Sequence, residues 1–348
     1  LVWLTENKLK NIRSTKCPTG LREEYPMKMI KIALAGAMAI GLSFPAFAQQ
    51  KLLIGSTSAS SSHYGYFVAV AKLINDNVAD IEASVVETGA TMDNLRRIER
   101  KQIDLGLVTT NVAQHAVAGT NKFEGHAMDL GLLWVYTGAP QNVIVRDDAG
   151  VENLAGLADV RFNPGIKGSA TESTTEAVFN ALGLSADYVR GSTTDVVDMI
   201  KDNRVAGYVK SGAGEKLDSS TIDIATFTPI RVLGLTDDQK ATLIEKMPDV
   251  SVVDVPAGAA DGVPAYTTWS FGVGVGAGPN LSEETAYQIV KAAMEDKEVQ
   301  GAAMASVKGV DLAKLTLQYA TIPLHPGAAK WFREQGIEIP ARLDPAKQ

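Results

Sequence analysis

The sequence predicts an α/β protein of two lobes joined by a hinge, with an interlobe cleft. Three observations carry this expectation. Short apolar runs alternate with amphipathic segments, the pattern of helices packed on mostly parallel sheets. From residue 49 onward the chain has about 300 residues, more than one hydrophobic core usually organises. The strand and helix segments form a first series, a second series and a return to the first, which is how a chain builds two lobes around a hinge.

Taken in order, residues 52–55 predict a strand, and 65–77 a helix with Phe67, Val70, Leu73 and Ile74 on one stripe. A Val-rich strand is expected at 81–88, a helix at 92–100 and a strand at 103–108. Apolar strands follow at 130–135 and 142–145, separated by Thr137-Gly138-Ala139-Pro140. The second series has strands at 159–162 and 205–209 and helices at 172–181 and 194–202, with Gly183 closing the first of these helices. Residues 230–233, 251–255 and 269–275 predict strands, and 237–247, 282–295 and 326–335 helices. Crossovers are placed near 137–145 and 262–272, so one lobe takes 49–141 with 270–348 and the other takes 142–269.

Residues 27–48 predict a cleaved secretory signal peptide. Met27-Lys28-Met29-Ile30-Lys31 is a short basic start, residues 32–44 carry no charge, and Pro45-Ala46-Phe47-Ala48 ends in a small-x-small site. That apolar run is shorter than the roughly 20 residues a helix needs to cross a bilayer. Residues 1–26 lack an apolar period and are expected to be an upstream extension outside the mature protein. The mature chain is expected in the periplasm.

Setting residues 1–48 aside removes Cys17, the single cysteine, and with it any disulfide framework, thiolate nucleophile or cysteine-based metal site. It also shifts the balance of basic to acidic residues from 33 against 40 to 26 against 37. So acidic a chain is a poor nucleic-acid binder, which needs clustered cations to displace counterions.

In open α/β sheets ligands gather outside the carboxyl ends of strands, where helix N-termini offer unpaired N–H groups. Four strand-to-helix loops therefore matter. The first, residues 55–65, holds Ser58, Ser60, Ser61, Ser62, His63 and Tyr64, hydroxyls and an imidazole able to hold an oxyanion without a formal cation. The second, residues 163–172, contains Gly168, Ser169, Ala170 and Thr171. Ser169 and Glu172 are spaced as a capping box, while Gly165, Lys167 and Gly168 allow close approach of a ligand to backbone. The third is Thr109-Thr110-Asn111 and the fourth Lys210-Ser211-Gly212, with Lys210 the best charge partner inside a cleft. Two loops from each lobe converging on one cleft predict a binder of a small organic anion.

Other chemistry is less well supported. The four histidines show no i, i+4 pairing around an acid, so no metal or other cofactor is expected. Gly272-Val273-Gly274-Val275-Gly276-Ala277 fits a loose GxGxxA form, but Pro279 precedes the next helix, and a close-packed hinge strand is the better reading. A periplasmic serine hydrolase lacks both a GxSxG elbow and an orienting acid, so no catalytic residue is assigned.

These loops resemble a known family, the TAXI branch of solute receptors for TRAP transporters, the tripartite ATP-independent periplasmic systems. Ile54-Gly55-Ser56-Thr57-Ser58-Ala59-Ser60-Ser61-Ser62-His63-Tyr64 matches that family's IGTGSTGGTYY segment, and Asn94-Leu95-Arg96 with Asp104-Leu105-Gly106-Leu107-Val108 its NLR and DLALV. Pro164-Gly165 and Gly168-Ser169-Ala170-Thr171-Glu172 look like PG..GS.T. Pro323-Leu324-His325-Pro326-Gly327-Ala328, followed by Trp331-Phe332, is similar to its PLHPGA signature. The resemblance implies a type II-like periplasmic-binding-protein fold. It also implies a monomeric receptor that closes on glutamate, a 2-oxoacid or a dicarboxylate and delivers it to the membrane permease subunits of a TRAP transporter. The ligand's carboxylate would be held by the Ser-rich loop, Tyr64, residues 109–111 and 168–171. An ABC-type substrate-binding protein of the same architecture is the alternative. Where the family has paired glycines and a first tyrosine, this chain has Ser60, Ser61 and His63. These substitutions predict a narrower, more polar pocket and an imidazole that titrates near neutral pH. His325, flanked by Pro326 and Gly327, is read as a buried turn residue ordering the last helix.

Overall fold

The computed structural model describes residues 49–347. Strand β1 (Gln50–Gly55) leads into α1 (Ser62–Asn77), β2 (Ile81–Val86) into α2 (Thr91–Glu99), and β3 (Leu105–Thr109) into α3 (Thr110–Ala118). β1 runs parallel to both β2 and β3. Because each of these strands is followed by a helix, α1, α2 and α3 all begin at the same edge of the sheet.

Strand β4 (Gly131–Arg146) then carries the chain into the second lobe. There β5 (Arg161–Asn163), α4 (Ala170–Leu182), β6 (Asp187–Tyr188), α5 (Thr193–Lys201), β7 (Gly207–Ser211) and α6 (Ser219–Phe227) repeat the strand-helix logic, with β5 parallel to β6 and β7. β8 (Ile230–Leu233), α7 (Asp237–Lys246) and β9 (Ser251–Val255) complete it. β10 (Tyr266–Ala277) returns to the first lobe, which α8 (Glu283–Glu295), α9 (Val299–Ala303), α10 (Leu312–Tyr319) and α11 (Pro326–Glu334) cover. The strands lie in the order β2-β1-β3-β10-β4-β7-β5-β6, with β8 beside β4 and β9 beside β10. The α/β, two-lobed expectation holds.

The two lobes share β4 and β10. Residues 131–140 of β4 pair with β10, and Gln141–Val145 pair with β7. Likewise Tyr266–Ser270 of β10 pair with β9, while Val273–Ala277 pair with β3. Thr137-Gly138-Ala139-Pro140 was expected to separate two strands, and here the structure corrects the sequence reading. Pro140 sits where β4 leaves β10 and takes up β7, a position at which the ladder asks no N–H of it. The glycine-rich run of β10 is close-packed, as expected. A Cβ on Gly274 would lie 2.4 Å from the Trp134 carbonyl oxygen, and one on Gly272 2.9 Å from both Thr110 and Tyr319.

Each lobe has its own core. In the first, Tyr66 stacks on Tyr136 with centroids 3.8 Å apart, and Trp134 Nε1 donates to the Tyr66 hydroxyl, which donates to Gln300 Oε1. Phe162, Phe179 and Trp269 anchor one core of the second. Among the described residues no helix is long and apolar enough to cross a membrane.

Other corrections are local. α1 begins at Ser62 rather than residue 65, because Ser61 caps it. α3, α6, α9 and α10 were not foreseen as helices; each is short, nine residues or fewer, and offers few turns of periodicity to read. Gly183 closes α4 in the left-handed conformation as expected, with φ of 67°. The capping box is half formed: Ser169 Oγ accepts the Glu172 N–H, but the Glu172 carboxylate accepts from Gly168 N–H. His325 caps α11, its Nδ1 accepting the Gly327 N–H at 3.2 Å. The signal peptide, the upstream extension and Cys17 lie outside the described residues.

Candidate functional site

The N-terminus of α1 is built around one hydroxyl. Ser61 Oγ accepts the His63 N–H at 3.3 Å, accepts from Lys210 Nζ at 3.1 Å and donates to Asp218 Oδ2 at 2.9 Å. That uses its one proton and both lone pairs. Asp218 comes from the second lobe, where it caps α6, and its side chain is fully buried. Oδ2 also accepts the Ser62 N–H at 2.9 Å, while Oδ1 accepts from the Ser220 N–H at 3.1 Å and the Ser220 hydroxyl at 2.6 Å. Lys210 Nζ lies 3.6 Å from Oδ1. Burial alone would raise the Asp218 pKa. The Lys210 charge, His63 and the Ser220 hydrogen bonds outweigh it and hold the carboxyl below its ordinary range. Beside it, Ser219 N–H donates to Ser62 Oγ and Ser219 Oγ to the Ser60 carbonyl.

His63 is buried between the lobes. Nε2 lies 3.2 Å from the Gly212 carbonyl, which can only accept, so Nε2 carries the proton and Nδ1 accepts from the Tyr136 hydroxyl at 2.9 Å. Burial pushes its pKa down to about 4; Asp218 opposes that and Lys210 reinforces it. The expected titration near neutral pH is therefore overturned.

Next to this cluster a cavity of about 40 Å³ lies between the lobes. From the first lobe Thr57, His63, Ala90, Thr91, Leu107, Thr109 and Val273 line it, and from the second Ile166, Ser169, Ala170, Thr171, Val209, Lys210 and Ser211. Three helices start at its wall: α2 at Thr91, α3 at Thr110 and α4 at Ala170. Each presents the positive end of its dipole there. α4 is capped by Ser169, but the N-cap positions of α2 and α3 make no side-chain cap bond. Thr109 is a residue type that caps well. Yet Thr109 Oγ1 and Thr91 Oγ1, both buried, have no hydrogen-bond partner among the described residues. Ala90 adds a strained backbone, with φ of 65° and ψ of −150°, a region occupied almost only by glycine.

The structure thus brings His63, Thr109, Ser169, Ala170, Thr171 and Lys210 together at one cavity. It places the others elsewhere. Ser58 and Ser60 bond each other, and Ser60, Ser61 and Ser62 are engaged by Asp218 and Ser219. Tyr64 lies on the outer face of α1, in a surface groove with Val68 and Lys72. Thr110 accepts the Gly272 N–H, Asn111 donates across to Thr174, and Gly168 accepts the Asp93 N–H. Thr57 and Ser211 lay in loops already named but were not singled out, and Ala90, Thr91 and Asp218 were missed. Thr88-Gly89-Ala90-Thr91 is another strand-to-helix loop and was open to the same argument. Asp218 was hidden because α6 was.

A family model matches residues 54–336, a span that contains both lobes and every loop around the cavity. The chain belongs to the NMT1-like family. Among solved structures, members of this two-lobed fold resemble it at low identity. A Listeria monocytogenes protein assigned as an L-cystine ABC transporter is 11% identical with a TM-score of 0.50, covering 76% of this chain and 99% of its own. The ligand-binding component of an ABC-type import system from Staphylococcus aureus, solved with zinc bound, is 14% identical with a TM-score of 0.46, covering 84% and 94%. The alkanesulfonate-binding protein of Xanthomonas axonopodis pv. citri, solved with MOPS, is 16% identical with a TM-score of 0.43, covering 85% and 96%.

Proposed function

We propose that this NMT1-like protein is a periplasmic solute-binding receptor of an ABC-type import system, a monomer that closes its lobes on a small organic anion and delivers it to the membrane translocator. The observation that carries the anion reading is the pair of buried, unpartnered hydroxyls, Thr91 and Thr109, at two helix starts without side-chain caps, beside buried Lys210. Buried polar groups are costly to leave unmatched, and here several face one interlobe cavity.

The TAXI resemblance points to a TRAP permease as partner instead. The NMT1-like match, with ABC import named for the Listeria protein of like fold, supports the ABC-type translocator over it. A first lobe of residues 49–141 and 270–348 and a second of 142–269, hinged where β4 and β10 change partners, fits closure by rotation about those two strands. A hydrolase reading is opposed by the His63 ring, which faces Tyr136 and Gly212 rather than a serine hydroxyl. Export by the N-terminal signal peptide is part of the same proposal.

A thermal-shift screen of carboxylates, sulfonates and neutral sugars tests the reading. A ligand at a hundredfold its Kd stabilises the protein by about 2.7 kcal/mol. A shift with a neutral sugar and with no acid overturns it.

A further inference from the structure

The Ser-rich loop at the start of α1 is where the resemblance puts a ligand carboxylate, and it already holds one belonging to the chain. Asp218 Oδ2 takes the Ser61 hydroxyl and the Ser62 N–H, and Lys210 Nζ stands 3.6 Å from Oδ1. Such an arrangement of N-cap hydroxyl, first-turn amide and lysine is what a helix N-terminus offers to an anion. Lys210 is also the only cation among the residues lining the cavity, and Asp218 offsets its charge. What remains to attract an anion is the set of helix dipoles at α2, α3 and α4, each worth about half a charge, with the free hydroxyls of Thr91 and Thr109.

We propose that Asp218 is an internal counter-anion that sets specificity, occupying the second anion position so that the receptor takes a short-chain monocarboxylate and rejects dicarboxylates. This rests on the receptor reading above. One carboxylate suits the dipoles and the two hydroxyls; a second would meet Asp218 across Lys210, where like charges in a buried site repel strongly. Size agrees. A water needs about 10–15 Å³ by this measure, so a cavity of about 40 Å³ has room for a carboxylate and a stub of carbon. Leu107, Ile166, Val209 and Val273 form an apolar part of the wall that suits an alkyl stub, and the other side chains there, Thr57, His63, Ser169, Thr171 and Ser211, bring no further cation to hold a second carboxylate.

Calorimetric titration of the purified full chain at pH 7.5 with acetate against malonate, and propionate against succinate, tests this. The monocarboxylate of each pair is expected to bind at least tenfold more tightly. In Asp218→Asn, which keeps the shape and frees the Lys210 charge, that ratio is expected to fall by tenfold or more. Should the variant not fold, the wild-type ratios still decide. Equal or tighter binding of malonate and succinate by wild type overturns the inference and leaves the anion receptor standing, as does a ratio unchanged in a folded Asp218→Asn. Failure of all four to bind overturns the inference, and if in addition only a neutral sugar stabilises the protein in the screen, the receptor's anion reading falls too.

Discussion

Neighbouring helix starts in this molecule share buried hydroxyls and have opposite outcomes. At α1, Ser61, Ser62, Lys210 and Asp218 satisfy one another, and the one carboxylate ties the two lobes together. At α2 and α3, Thr91 and Thr109 are as deeply buried, yet their hydroxyls have no partner among the described residues, and Ala90 is held in a backbone conformation fit for glycine. The first arrangement is what stability selects. The second costs free energy in the protein alone, which is why the proposed receptor places its ligand there and treats the first as the joint that closes around it.

The sharpest way to break the contrast is to empty the satisfied side. Asp218→Ala leaves the buried Lys210 cation without its carboxylate, strips two hydrogen bonds from the joint and removes two more that cap α6. A loss of about 3–5 kcal/mol is expected, read from urea unfolding; a loss below about 1 kcal/mol would mean the joint is not closed as described.

A second test uses pH. The folded-state pKa of His63, about 4, is below its ordinary 6.5, so between these values the unfolded chain binds more protons than the folded one. The contribution is therefore present above pH 6.5 and is lost as pH falls toward 4, by about 3 kcal/mol in all. Asp218, also depressed, loses its contribution only at lower pH, as its own folded pKa is passed. Melting curves from pH 7.5 to 4 are expected to fall steeply for wild type and more gently for His63→Gln; parallel curves would contradict the buried neutral imidazole.

Smaller effects are expected on the unsatisfied side. Ala90→Gly relieves a strain of about 1–3 kcal/mol and returns part of it to the more flexible unfolded chain. A net gain of about 1 kcal/mol by denaturant titration is expected, and a net loss would remove the strain argument. Least of all in stability, Thr109→Val and Thr91→Val are expected to change it by less than about 1 kcal/mol, toward stabilisation, since an unmatched hydroxyl becomes a methyl of like shape. Anion affinity should nevertheless drop at least tenfold. If stability instead falls by about 2 kcal/mol, the hydroxyls have partners and the contrast disappears.

Much of the fold was legible in residue order. The strands 230–233 and 251–255 and the Gly183 cap were foreseen almost to the residue, because turn chemistry and apolar runs are local signals. The continuity of β4 through Pro140 was not, since whether a proline breaks a strand depends on whether a neighbour asks for its N–H. The candidate site divides the same way. His63, Thr109, Ser169, Ala170, Thr171 and Lys210 could be reached by looking after each strand, and the structure collects them at one cavity. Tyr64 could not be excluded that way, because only the start of α1 at Ser62 turns its side chain outward.

By itself, then, the sequence determined that this is an α/β chain whose polar loops sit at strand ends, because periodicity and turn residues act within a few positions. Only the tertiary structure decided which of those loops are already spoken for. Ser61 and Asp218 are 157 residues apart, and no local pattern reports that one lobe's carboxylate will close the other lobe's helix.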